Sequence, residues 1–173
     1  MSEIVKLFYD IILFRKGPQD VPFSRVLTRM TLAVYALISF LMLFMSSHWF
    51  SALLKMAADI VLLIGFIRIT LAWVHKSERY QQTFCALLGT DALLTLFGVP
   101  ATAVMLVPSG DLAILGFFIV VGLILWHWAV IGYILSHALD QNLGFSLGLA
   151  LLYMMAAYQI LAVLFQSVSS ISG

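Results

Sequence analysis

Long apolar runs alternate with short polar breaks along most of this chain. A helix needs about 20 mostly apolar residues to cross a bilayer. Five runs meet that length, at 26–45, 51–73, 83–107, 112–135 and 143–165. The breaks between them are Ser46-Ser47-His48-Trp49, His75-Lys76-Ser77-Glu78-Arg79, Pro108-Ser109-Gly110-Asp111 and His137-Ala138-Leu139-Asp140-Gln141-Asn142. Ahead of the first run, Ile4, Leu7, Phe8, Ile11 and Ile12 recur at helical spacing among Glu3, Lys6, Asp10, Arg15 and Lys16. Residues 2–16 are too few to span, so they predict an amphipathic helix. It lies along the membrane surface or packs on the ends of the protein's own helices. Gly17-Pro18-Gln19-Asp20-Val21-Pro22 then stops the helix and turns the chain into the membrane.

The predicted fold is all-α: a polytopic transmembrane helical bundle of five transmembrane helices plus an N-terminal amphipathic interfacial helix. Residues 1–25 form the surface helix and Gly/Pro turn, 26–166 the transmembrane domain, and 167–173 a short uncharged tail. Composition supports this, since 63% of residues are hydrophobic and 10% charged, against about 25% charged in soluble domains. Lys6, Arg15, Lys16, Arg25 and Arg29 precede or open the first span, and Lys76 and Arg79 separate the second from the third. The breaks after the first and third spans hold no Lys or Arg. This asymmetry predicts a cytoplasmic N-terminus and an outside C-terminus. A bacterial inner membrane is the expected location. The N-terminus lacks a basic stretch followed by a small-residue cleavage site, so no cleavable signal peptide is expected. An odd number of spans argues against a simple inverted-repeat transporter.

The second span carries Lys55, Asp59 and Arg68, and charge at bilayer depth is costly and needs partners. Lys55 and Asp59, four residues apart on one helix face, form a candidate charged pair. Lys55 is also close enough to the end of its span to snorkel. Arg68, Asp91 in the third span and His127 in the fourth fall at similar predicted depth if consecutive spans are antiparallel neighbours. They form a candidate intramembrane polar layer, read either as a polar pocket or proton relay or as a network fixing helix register.

Other chemistry is sparse. Cys85 is the only cysteine and lies in an apolar run, where a buried inert thiol is expected. His48, His75, His127 and His137 lack metal-ligand spacing, no hydroxyl has a base arranged beside it, and the net charge of +1 suggests no nucleic acid. No catalytic residue, metal or cofactor is therefore assigned. Trp126 and Trp128 flank His127 on different faces of the fourth span, and Gly144-x-x-x-Gly148 matches the small-residue helix-packing motif. These four are the candidate contacts to partner helices.

Five closely spaced spans, Asp10 followed by Gly17-Pro18, and Gly132-Tyr133 with Ser136-His137 ending the fourth span resemble the Yip1-type membrane-domain family. The resemblance implies a small polytopic membrane protein, and its bacterial members imply an inner-membrane location without an established activity. The leading functional expectation is a non-enzymatic accessory or scaffold subunit of a larger membrane assembly. Its partners are the lipid bilayer and other membrane subunits or further copies of itself. The alternative is a homo-oligomeric transporter or channel using Arg68, Asp91 and His127 as its polar path.

Overall fold

The structure, a computed structural model, describes residues 2–45, 48–105 and 110–171, with side chains over 3–45, 48–104 and 113–163. Among them are six helices: α1 (Ser2–Ile12), α2 (Arg25–Phe44), α3 (Trp49–Trp73), α4 (Tyr80–Met105), α5 (Gly110–Leu139) and α6 (Leu143–Ile171). Helices α2 to α6 are long and apolar enough to cross a membrane, so the chain is an integral membrane protein. The predicted breaks at 46–47 and 106–109 lie outside the described residues, as do 172–173. Helix α6 runs on to Ile171, past the expected end of the fifth span.

The helix boundaries follow from local chemistry. Ser24 Oγ accepts the Leu27 amide at 3.2 Å and starts α2, and Asn142 Oδ1 accepts the Phe145 amide at 2.7 Å and starts α6. Helices α1, α3 and α5 end on left-handed residues, Phe14, His75 and Asp140, with φ of 59°, 59° and 51°. In each case the next amide closes the turn. Arg15 donates to the Asp10 carbonyl at 2.9 Å, Lys76 to Leu71 at 2.8 Å and Gln141 to Ser136 at 3.1 Å. All three stops lie at the end of the bundle where α1 packs, here termed the α1 end.

Helix α4 is the hub. Residues 83–90 are buried without interruption, as expected of a helix apolar on every side. Its threonine hydroxyls bond back into their own helix, Thr83 to the Arg79 carbonyl and Thr90 to the Ala86 carbonyl, each at 2.9 Å. Cys85 is buried, with its thiol 3.6 Å from the Thr31 hydroxyl of α2.

Helix α1 packs on the bundle. Leu7, Phe8, Ile11 and Ile12 are buried against it, while Ile4, Val5 and Tyr9 are exposed. The Phe8 ring lies over Gly89, where a Cβ would come within 2.4 Å of it. The 17–22 segment forms a strap across the start of α4. Asp20 Oδ2 accepts the Gly17 amide at 2.8 Å, and Gln82 Nε2 donates to the Val21 carbonyl at 2.9 Å and to the Gln19 carbonyl at 3.2 Å. Beyond α1, the Tyr133 hydroxyl donates to the Phe14 carbonyl at 3.1 Å. Asp140 ties the α3–α4 turn to the α5–α6 turn by pairing with Lys76 Nζ and, at 3.0 Å, with Arg79 Nη1. The same Arg79 nitrogen donates to the His137 carbonyl at 3.1 Å.

The two halves of the bundle are packed differently. Ile11, Val21, Ile67, Leu71, Leu88, Ile134, Leu135 and Leu139 are all essentially inaccessible and lie in the α1 half. Halfway along the helices stand Tyr35, Asp59, Asp91, His127 and Tyr153. More than a turn beyond them, the buried positions among the described residues are Ala52, Ala101 and Gly116. One half is a solid core and the other is loosely filled.

Two consequences can be measured. Gly89→Val forces the Phe8 ring away and should cost about 1–3 kcal/mol, the usual effect of overpacking. Thermal unfolding in detergent should show the loss, and Phe8→Ala should recover part of it; equal losses in both backgrounds would contradict the contact. The second concerns Asp140, whose carboxyl is held below the usual carboxylate range by its bonds to Lys76 and Arg79. A lowered folded value means the clamp stabilises fully above the ordinary Asp pKa of about 3.9 and fades as pH falls through the folded value. The melting-temperature gap between wild type and Asp140→Asn should therefore stay constant from pH 6 to 8 and narrow below about pH 4. A gap unchanged at acid pH would contradict it.

Candidate functional site

The mid-bundle layer is assembled from five helices. Asp91 lies eleven residues into α4 and His127 twelve residues before the end of α5. Tyr153 lies ten residues into α6 and Asp59 fourteen before the end of α3. At 1.5 Å per residue all four stand about 15–21 Å from the α1 end. Antiparallel neighbours thus bring distant sequence positions to one depth. His127 Nε2 and Asp91 Oδ1 are 2.9 Å apart. The Tyr35 hydroxyl, ten residues into α2, donates to Asp59 Oδ2.

Cavities surround these groups. One of about 260 Å³ is lined by Asp91, His127, Thr95, Gly98 and Thr102. A second of about 200 Å³ is lined by Asp59, Asp91, His127, Tyr153 and Tyr158. A third of about 240 Å³ is lined by Ser39, Lys55, Asp59 and Thr95. The first two share Asp91 and His127, and the last two share Asp59. The side chains of His127 and Asp91 keep 29% and 21% of their surface accessible. Ionisable groups within a membrane face the bundle interior or a cavity and pair with one another. This pair does both, since Asp91 and His127 meet and line two cavities.

The expected Arg68, Asp91 and His127 layer is partly assembled. Asp91 and His127 meet, and Arg68 does not join them. It is exposed, with its guanidinium 5.2 Å from the centre of the Tyr80 ring, a cation–π contact. The reason is helical geometry. Arg68 follows Asp59 by nine positions, two and a half turns at about 3.6 residues per turn, so the two point to opposite faces of α3. The inward face is marked by buried Ala52, Leu63, Ile67 and Leu71, and Asp59 shares it. Arg68 also stands five residues from the end of α3, well short of the depth of Asp91. Asp59 occupies the place expected for Arg68. Lys55 and Asp59 line one cavity together, and the bond that Asp59 accepts there comes from Tyr35.

The candidate partner contacts divide. Trp128 Nε1 donates to the Leu147 carbonyl at 2.8 Å and joins α5 to α6. The helices approach closely at Gly132, where a Cβ would lie 3.1 Å from Leu147 Cα. Trp126 is 5.5 Å from the Phe14 ring and stays partly exposed. Gly144 and Gly148 are exposed, and open space surrounds Gly148. Tyr35 and Tyr153 belong to the site yet carry no sequence signal beyond being phenols at mid-span. Among the described residues no three His, Cys, Asp or Glu side chains converge as metal ligands.

Comparisons with profiles of protein families, with curated proteins and with solved structures gave no match.

An open chamber can be distinguished chemically from a sealed contact. Dicyclohexylcarbodiimide, an apolar reagent that modifies protonated carboxyls, should label Asp59 or Asp91 in membranes at mildly acid pH. Mass spectrometry of peptides should place the label there. Labelling confined to carboxyls at the helix ends would contradict an accessible chamber.

Proposed function

We propose that this chain is a small membrane carrier that binds a cationic solute in the mid-membrane chamber and exchanges it for protons. The observation that supports the reading most is that Asp59, Asp91 and His127 border cavities that share lining residues while the α1 half is filled. The charged and titratable groups facing the chamber are Tyr35 from α2, Lys55 and Asp59 from α3, Asp91 from α4, His127 from α5, and Tyr153 and Tyr158 from α6. Two carboxylates face one ammonium and one imidazole. With the imidazole neutral, one negative charge remains for a ligand cation to neutralise. A proton taken up by the cluster cancels that same charge, so proton and cation compete. The filled α1 half requires helices to part before release on that side, which is the behaviour of a carrier and not of an open channel. The accessory-subunit reading draws on the exposed Gly144–Gly148 stripe. Of the two tryptophans it also draws on, Trp128 is bonded to Leu147 within the chain and Trp126 stays exposed beside Phe14.

The location belongs to the same proposal. Lys6, Arg15, Lys16, Arg25, Arg29, Lys76 and Arg79 gather toward the α1 end, which favours placing that end in the cytoplasm. The chamber then lies on the outer side of the buried half, and a bacterial inner membrane suits that arrangement.

The test is uptake of tetraethylammonium into proteoliposomes whose interior is made acid. Wild-type protein should take up the cation in proportion to the pH gradient. Asp91→Asn should keep its melting temperature to within the few degrees that a membrane hydrogen bond of about 0.6–1.7 kcal/mol implies, and should fall to the level of protein-free liposomes. Wild-type uptake no greater than the protein-free control would sink the proposal, as would full uptake by a folded Asp91→Asn protein.

A further inference from the structure

Beside the chamber, α3 and α6 flank a groove of about 510 Å³. Gly65, Phe66, Ile69, Ala156 and Ile160 line it, with the Tyr153 ring stacked on Phe66 at 4.4 Å. The groove is apolar along its length. Its lips are outward-facing side chains, with Val61 66%, Ile69 72% and Leu152 66% exposed. In a spanning bundle that exposure is to the acyl chains of the bilayer. Groove and chamber adjoin at Tyr153 and Ala157, which line both the apolar groove and the cavity bordered by Asp59, Asp91 and His127. The apolar groove between α3 and α6, which faces the membrane interior, therefore lies next to a cluster with two carboxylates. A hydrated ion would have to shed its water along an apolar wall to use it. An alkyl chain would not, since the groove is as apolar as the lipid it leaves.

We infer that the ligand of this chamber is an amphiphile, a cationic head group carried on a single alkyl chain, which enters sideways between α3 and α6. The head group sits against Asp59 and Asp91, and the chain lies along Gly65 and Ala156. This inference rests on the cation-binding reading of the chamber and adds the chain to it. Gly65 is where the two parts can be separated. A Cβ there meets nothing within 4 Å, so a larger side chain at 65 extends into the groove without displacing the bundle.

Native mass spectrometry of the full chain, released from detergent with added dodecyltrimethylammonium or tetramethylammonium, tests both parts. The dodecyl compound should bind one per chain at least tenfold more tightly than the tetramethyl compound. Gly65→Phe, checked for an unchanged melting temperature, should remove that tenfold preference and leave the weak tetramethylammonium binding in place. Asp59→Asn should weaken both. Equal binding of the two cations, or a preference that survives Gly65→Phe, overturns the inference while the cation-binding chamber stands. Dodecyl binding indifferent to Asp59→Asn, with dodecyl sulfate binding equally well, overturns both, because the site would then hold only an apolar chain. A dimer that forms in the wild type and is lost in Gly65→Phe would assign the groove to a second copy and overturn the inference.

Discussion

The polar constraint that organises the bundle is a carboxylate at mid-membrane, Asp91, met by His127. A carboxylate halfway across a membrane is tolerated when something meets it, and here an imidazole meets it from the neighbouring helix at 2.9 Å. The pairing adds a polar contact to the extensive packing between α4 and α5. It also stands near the level at which the buried part of the bundle ends. Toward the α1 end, residues 83–90 of α4 are enclosed on all sides, and Phe8 and Ile11 of α1 pack onto the bundle beside them. Away from it, the helices present apolar side chains outward and leave cavities inward. Without apolar burial as a driving force in lipid, membrane helices hold together by close packing and polar contacts. The packed half supplies the first and the mid-membrane layer supplies the second.

That division explains why the short N-terminal helix matters. A bundle with a loosely filled half needs a rigid base. Phe8 over Gly89, the strap bonded by Gln82, and the Asp140 clamp with Lys76 and Arg79 provide one at a single end. The three left-handed helix stops at Phe14, His75 and Asp140 lie at the same end. The apolar groove between α3 and α6 lies away from these ties.

Much of the architecture was legible in the sequence because membrane spans are written in length and polarity alone. Five runs gave five spanning helices, and the amphipathic segment gave α1, although whether it met lipid or protein needed the small residue at 89 to be seen beneath Phe8. The site was legible in part. Asp91 and His127 stood out as polar groups in apolar runs, and antiparallel threading put them at one depth. Arg68 was drawn into the layer because depth was counted and helix face was not; its half-turn offset from Asp59 sends it to the Tyr80 ring instead. Tyr35 and Tyr153 could not be chosen from the sequence, since a phenol in an apolar run is as often an ordinary wall as a hydrogen-bond donor. The cavities were equally invisible, because they arise from how helices diverge and not from any one residue.

The central claim is that the mid-membrane cluster is an accessible site where cation and proton compete. Nuclear magnetic resonance of the His127 imidazole, with its nitrogens labelled and the protein in nanodiscs, tests this most directly. The account predicts that the His127 signal titrates with external pH and that tetraethylammonium at fixed pH shifts it toward the neutral imidazole, an effect lost in Asp59→Asn. A His127 signal that responds to neither pH nor cation would show a sealed structural pair and contradict the account.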